Sequence, residues 1–150
     1  MNSSAAKIPG KGRFLAGCFT LLLFSAVHMI PMFADIFTEP SKPAEVEAKR
    51  AMTAVVVAIG PFHSNWAKLN QLLSVSYSAL LFFVVALNLV ALPAIIAHGR
   101  LRALATVNVI FVGILLSTSV IYQFPPPGVF ALIAEVFFIA AMVRATRSHG

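Results

Sequence analysis

Four long runs of apolar residues constrain this chain more than any other feature of its sequence. They extend over about residues 14–33, 75–97, 103–122 and 128–143, and they carry almost no charge. A helix needs about 20 apolar residues to cross the roughly 30 Å hydrocarbon core of a bilayer, and the alternating segments of a membrane barrel are not seen. The sequence therefore predicts an all-α polytopic membrane protein with four transmembrane helices in a bundle.

Composition agrees with a membrane protein and excludes a soluble globule. The chain has 150 residues, of which 59% are hydrophobic and only 11% charged, whereas soluble domains carry roughly a quarter charged residues. This length leaves room for a single membrane domain over residues 1–150. The net charge of +6 does not indicate nucleic acid as a partner, because the basic residues stand at the ends of the runs and form no cluster with aromatic residues. The predicted partner is the lipid bilayer.

The positions of lysine and arginine predict how the chain crosses the membrane. Short flanks rich in these residues stay on the cytoplasmic side. On the opposite side, the turn at residues 123–128 has no charge, and the long loop at 34–74 balances four bases with four acids. Both termini are therefore predicted to be cytoplasmic, in a multi-pass protein of a cell membrane, which we expect to be a bacterial inner membrane. The cytoplasmic basic residues are Lys7, Lys11, Arg13, Arg100, Arg102, Arg144 and Arg147.

The long first loop is predicted to contain a helix, because a loop of this length without structure is uncommon in a small protein. Ser41 can cap its first turn, Pro43 suits that turn, and Gly60-Pro61 ends the pattern. We expect an interfacial helix over about residues 43–59 that lies on the outer face of the bundle as a lid or brace. The apolar positions at helical spacing are Val46, Met52, Val55, Val56 and Ile59.

Two ionisable residues inside the apolar runs are candidates for function, because such residues are costly in hydrocarbon. Glu135 lies roughly 11 Å and His28 roughly 8 Å from the outer ends of their helices, at 1.5 Å per residue. At similar depth they can form a pair, a proton relay or part of a metal site. Alternatively, His28 hydrogen-bonds a neighbouring hydroxyl or carbonyl while Glu135 carries a proton or faces another subunit.

Other polar residues in the runs suggest either packing or a cavity. Asn88 and Asn108 lie roughly 15 and 12 Å from the inner turn, so antiparallel neighbours would place their amides side by side as a structural polar pair worth about 1 kcal/mol. Tyr77, Ser119 and Tyr122 make the outer half of the helices more polar than the inner half. This pattern is typical either of a small cavity that opens outward or of close packing of small residues.

No metal site, cofactor or catalytic residue is predicted. His28, His63 and Glu135 lack the spacing of zinc ligands, and His98 and His149 are on the wrong side to pair with His28 as haem ligands. The sequence has no phosphate-binding glycine loop, nucleophile elbow or metalloprotease motif. An enzymatic activity is therefore not favoured.

One resemblance adds to this architecture. His28 late in the first run, Ala51-Met52 in the loop, and Gly60-Pro61-Phe62-His63-Ser64 before a run that contains tyrosine and serine form a recognisable layout. Over residues 14–85 the chain resembles a family of small uncharacterised bacterial four-helix inner-membrane proteins. The resemblance implies the architecture and no activity.

The sequence leaves two main hypotheses for function. The first is a non-enzymatic accessory or interaction subunit of a larger membrane complex, or a homo-oligomer. The alternative is a binder or converter of a small lipophilic molecule, quinone-like or lipid, in an outward-facing intramembrane cavity that uses Glu135 and His28. Transport is a third possibility, for which the nearly charge-free inner half gives little reason. The candidate ligand-binding residues are His28, Glu135, Tyr77, Ser119 and Tyr122.

Overall fold

A computed structural model describes residues 8–123 and 125–146, and helices dominate this part of the chain. A short β-hairpin separates the second helix from the third. The elements are α1 (Lys11–Phe37), α2 (Pro43–Ala54), β1 (Val56–Ile59), β2 (Phe62–Asn65), α3 (Trp66–Ala97), α4 (Leu101–Ile121) and α5 (Pro125–Thr146).

Four of the helices, α1, α3, α4 and α5, are long and apolar enough to span a membrane. The predicted helical fold with four membrane-length helices is confirmed for the described residues, and it is consistent with a small multi-pass integral membrane protein. With 27 and 32 residues, α1 and α3 extend roughly 40 and 48 Å, which is more than the hydrocarbon core of a bilayer. Both helices are therefore longer than one crossing of the hydrocarbon core requires.

The chain divides into two compact units. The first, here called the core unit, contains the residues up to Phe24 and those from Phe82 onward. The second, the hairpin unit, is Ser25–Leu81. The divisions fall inside α1 and inside α3, so each unit contains one part of each of these helices.

In the core unit, aromatic side chains fill the contact between α1 and α5. The rings of Phe14 and Phe138 meet edge to face at 5.4 Å, and those of Phe24 and Phe130 stack at 5.2 Å. A Cβ atom at Gly17 would lie 2.8 Å from the ring of Phe138. The glycine thus provides the space that the ring occupies, as small residues do at helix contacts in membranes.

Helices α4 and α5 of the core unit also meet through small residues. A Cβ atom at Gly128 would lie 3.3 Å from Cβ of Ser119, so the two backbones approach closely there. The buried positions on α4 recur at intervals of three and four residues, which is the period of one helix face. They are Leu101, Ala105, Asn108 and Val112 on α4, and Ala131, Ala134, Phe138, Ala141 and Ala145 on α5.

The end of α3 follows from the Gly99 backbone. Gly99 has a φ of 65°, and the N–H of Arg100 donates to the carbonyl of Ile95 at 2.9 Å, as in a Schellman motif. The imidazole Nδ1 of His98 lies 2.8 Å from the carbonyl oxygen of Ala94. The chain thereby reverses within three residues and enters α4.

The start of α5 differs from the predicted turn at residues 123–128. Pro125, Pro126 and Pro127 belong to the first turn of the helix, and Gln123 has a φ of 50° in the connection. Proline is suited to this position because its missing N–H would have no partner in the first turn and its ring fixes a helical φ. The helix therefore begins earlier than the apolar run.

The outer helix predicted over residues 43–59 is correct only in its first part. Helix α2 ends at Ala54, and Val56–Ile59 instead pairs antiparallel with Phe62–Asn65. The β-branched run Val55-Val56-Val57 favours a strand. Gly60 has a φ of 58° and Pro61 cannot have a positive φ, so the two-residue loop matches a type II′ hairpin turn.

Single residues determine where α2 and α3 begin in the hairpin unit. Helix α2 begins with Pro43 at its first position, and the N-cap is Lys42 rather than Ser41. Helix α3 is capped by Asn65, whose side-chain oxygen accepts a 2.9 Å hydrogen bond from the N–H of Lys68. The cap starts the long helix directly after the hairpin.

Candidate functional site

The predicted ligand-binding residues are divided between the two units. His28 and Tyr77 lie in the hairpin unit, whereas Ser119, Tyr122 and Glu135 lie in the core unit.

In the hairpin unit, His28 on α1 faces Tyr77 on α3. Their rings meet edge to face, with centroids 5.4 Å apart and planes inclined at 74°. This contact orients the imidazole, whose two nitrogens can act as hydrogen-bond donor or acceptor. Helix α1 thus presents a polar ring toward α3.

A hydrogen bond joins the same two helices one turn before His28 on α1. The hydroxyl of Ser25 donates to the main-chain carbonyl of Ser78 over 2.9 Å. Ser78 is itself only 2% exposed, and its hydroxyl oxygen has no hydrogen-bond partner among the described residues. Leaving a buried hydroxyl unpaired costs about 1–3 kcal/mol, so this group lowers the stability of the contact between α1 and α3.

A cavity of about 210 Å³ lies in the hairpin unit beside His28. Its lining combines the imidazole with two amides, a hydroxyl and two apolar side chains, and it includes no charged residue. Such a lining suits an uncharged molecule with a hydrogen-bonding group. The lining residues are His28, Pro31, Met32, Asn70, Gln71 and Ser74.

In the core unit, Glu135 points toward α4. Its Oε1 atom would be 3.8 Å from a Cβ atom at Gly113, so the absence of a side chain there makes room for the carboxyl group. The Oε2 atom is buried and has no hydrogen-bond partner among residues 8–123 and 125–146. Ser119 lies at the close contact with Gly128. Tyr122 follows the last turn of α4 and is 77% exposed.

The amides of Asn88 and Asn108 are placed together, as the depth argument expected. Asn88 Nδ2 donates to Asn108 Oδ1 over 2.7 Å, and Asn108 Nδ2 donates back to Asn88 Oδ1 over 3.0 Å. Asn108 Nδ2 also donates to the carbonyl of Leu104. Both residues are buried, so the pair satisfies polar groups inside the core unit and leaves no amide available to a ligand.

No group of three or more histidine, cysteine, aspartate or glutamate residues that could hold a metal ion occurs in the described part of the chain. Sequence reasoning did not place Pro31, Asn70, Gln71 and Ser74 in one site. The signal was available in part: Asn70, Ser74 and Ser78 recur every four residues and so share one face of α3.

No known protein family, curated protein or solved structure matches the chain. The resemblance to small bacterial four-helix proteins thus stays a hypothesis.

Proposed function

We propose that this chain is a small non-enzymatic membrane protein that acts as an interaction subunit. It binds a larger membrane protein or further copies of itself. The observation that carries the proposal is in the hairpin unit. Helix α2 has 12 residues and buries none of its side chains.

An exposed helix of this length needs further contacts to be stable. Isolated helices shorter than about 12–15 residues are marginal in water, and a lone two-stranded hairpin is marginal as well. Helix α2 is separated from the first turns of α3 by a groove of about 450 Å³. Contact with a second protein would supply the packing that the segment from Pro43 to Asn65 lacks.

The charges of α2 favour a protein over a lipid surface as the partner. Helices that bind membrane surfaces are rich in lysine and arginine and carry large apolar residues on the opposite face. Helix α2 balances Glu45 and Glu47 with Lys49 and Arg50, and its larger apolar residues are only Val46 and Met52. A surface of mixed charge is suited to specific pairing with another protein.

The test is purification from the native membrane in mild detergent, followed by native mass spectrometry. We expect a stoichiometric larger protein or a defined homo-oligomer to remain bound. Phe62 at the start of β2 is 76% exposed, and the Phe62→Ala variant should recover at least about tenfold less partner, because exposed aromatic residues anchor interfaces.

The matched control is Phe83→Ala, the same substitution at an exposed position inside the apolar part of α3. This variant should retain the partner. A monomer that carries no protein partner would overturn the proposal, and equal loss with both variants would overturn the assignment of the contact to the hairpin unit.

The orientation is part of the proposal. Both termini are placed in the cytoplasm of a bacterium and the segment between α1 and α3 outside its inner membrane, on the strength of the flanking lysine and arginine residues. In a Cys18→Ala background, Ser41→Cys should react with an impermeant maleimide added to intact cells. A fluorescent protein fused after Gly150 should fold and fluoresce. Labelling of Ser41→Cys only after lysis would contradict this orientation.

The cavity beside His28 favours a second candidate function, the binding or conversion of a small quinone-like or lipid molecule. In this candidate His28 and Glu135 are the acid–base or hydrogen-bonding groups. Glu135→Gln keeps the shape of the side chain, so it should abolish binding while the fold remains intact. Unchanged binding in this variant would remove Glu135 from the candidate.

A further inference from the structure

We infer that the cavity between α1 and α3 in the hairpin unit binds a lipophilic molecule whose head is one uncharged ring with carbonyl or hydroxyl groups. The inference rests on the second candidate function and gives it a site that belongs to the hairpin unit alone. It differs from that candidate in using no residue of the core unit, so Glu135→Gln should leave binding at this site unchanged, and it does not depend on the protein partner.

The size of the cavity limits the head of the ligand. An engineered protein cavity of about 150 Å³ holds benzene, so about 210 Å³ holds a single ring with small substituents. An apolar tail would have to remain outside the cavity, against the exposed apolar side chains of the helices.

The lining determines the chemistry of the head. His28, Asn70, Gln71 and Ser74 offer hydrogen-bond donors and acceptors, and none of the lining side chains carries a fixed charge. A phosphate or carboxylate would enter without a cation to balance it, which is costly away from water. Pro31 and Met32 provide an apolar wall for the ring.

Ser78 lies near the cavity along α3 but is not part of its lining. Ser74 lines the cavity, and Ser78 lies one turn further along the same face of α3. The buried Ser78 hydroxyl has no hydrogen bond from the described protein. The polar contacts proposed for the ligand therefore come from the lining residues and not from Ser78.

The level of the site along α3 fits a ligand held near the membrane surface. Trp66 begins α3, and tryptophan collects at the boundary between the membrane and water. Asn70 and Ser74 follow four and eight residues later, so they lie roughly 6 and 12 Å along the helix from Trp66. A polar head at this level leaves its tail free to extend into the hydrocarbon.

The experiment uses the full-length protein in detergent micelles with decylubiquinone as the probe. Trp66 is the single tryptophan of the chain, so quenching of its fluorescence reports a quinone bound nearby. Decylbenzene, titrated in competition, is the control ligand, because it has the ring and tail but no hydrogen-bonding group. We expect saturable quenching by the quinone that decylbenzene does not displace at equal concentration.

Variants then locate the site. Ser74→Leu fills the cavity and removes a hydroxyl, so the Kd for decylubiquinone should rise at least tenfold. His28→Phe keeps an aromatic ring beside Tyr77 without its nitrogens, and it should raise the Kd about threefold to tenfold. Ser76→Leu is the matched control, because Ser76 is exposed on the same helix. Its Kd should equal that of the wild type.

Circular dichroism and size-exclusion chromatography of each variant identify any loss of fold, and Ser74→Ala replaces Ser74→Leu if the leucine is not tolerated. Non-saturable quenching, displacement by decylbenzene, or equal Kd values for Ser74→Leu and Ser76→Leu would each overturn the inference. Recovery of the protein partner by Ser74→Leu is measured in parallel. It should be unchanged, so failure of this inference and failure of the partner-binding proposal give different results.

Discussion

The core unit and the hairpin unit bury different kinds of side chain. In the core unit, aromatic rings, small residues and a paired amide fill the space between helices, as in Phe14 against Phe138 and Asn88 against Asn108. In the hairpin unit, α2 buries nothing, and α1 meets α3 through serine, histidine and tyrosine beside a cavity. We therefore expect the core unit to carry most of the stability and the hairpin unit to carry binding, which mutations can test.

The largest loss in the free energy of unfolding should come from Phe138→Ala in the core unit. The ring is fully buried against Phe14 and Gly17, and its removal should cost about 3–5 kcal/mol through lost contacts and the cavity left behind. Unfolding in mixed micelles with increasing dodecyl sulfate measures the change in free energy. Phe62→Ala in the hairpin unit is the control and should change stability little. Equal losses in the two variants would remove the contrast between the units.

A smaller loss in the free energy of unfolding is expected from Gly17→Ala. The new methyl group would lie 2.8 Å from the buried Phe138 ring, so the ring or one of the helices must shift, at a cost of about 1–3 kcal/mol. Gly12→Ala in the same helix is the matched control, because a Cβ atom there meets nothing within 4 Å. It should be neutral or slightly stabilising in the same assay. Destabilisation by Gly12→Ala alone would contradict the packing described for α1.

The amide pair should show coupling rather than a large single effect. Asn108→Leu leaves Asn88 without its partner and should cost about 1–2 kcal/mol. Replacing both residues by leucine removes the unpaired amide, so the double variant should be more stable than the sum of the two single variants predicts. A double-mutant cycle in the same micelle assay measures this coupling. Strict additivity would mean that the amides do not depend on each other.

The smallest loss in the free energy of unfolding should come from Ser25→Ala in the hairpin unit. The variant loses one hydrogen bond to the Ser78 carbonyl, and such bonds between membrane helices contribute about 0.6 kcal/mol on average. Ser76→Ala at an exposed position of α3 is the control and should have no measurable effect. A loss with Ser25→Ala as large as that with Phe138→Ala would show that the hairpin unit also supports the fold.

The helical part of the fold could be predicted because the period and length of an apolar run depend on neighbouring residues alone. Counting residues from the inner turn also put Asn88 and Asn108 at similar depth, where their amides bond each other. The hairpin was missed because Val55, Val56 and Ile59 continue the helical spacing of the residues before them, although their β-branched side chains favour a strand. Only pairing with Phe62–Asn65 decides between the two, and a pairing partner is not visible in one segment.

The candidate site was less predictable than the fold. His28 and Tyr77 were named as separate polar residues, and their ring contact depends on the rotation of two helices about their axes, which sequence spacing does not give. Asn70, Gln71 and Ser74 were not among the residues predicted to bind a ligand. Their role as a lining follows from the gap beside Pro31 and Met32, a feature of three-dimensional packing.

The tight turn at Gly99 has a consequence for how the protein is made. Because only three residues separate α3 from α4, the ribosome delivers the two helices to the insertion machinery almost together. A single asparagine in an apolar helix disfavours its entry into lipid, but a helical hairpin in which Asn88 already bonds Asn108 presents no open amide. We therefore expect the two helices to enter the membrane together, as one helical hairpin.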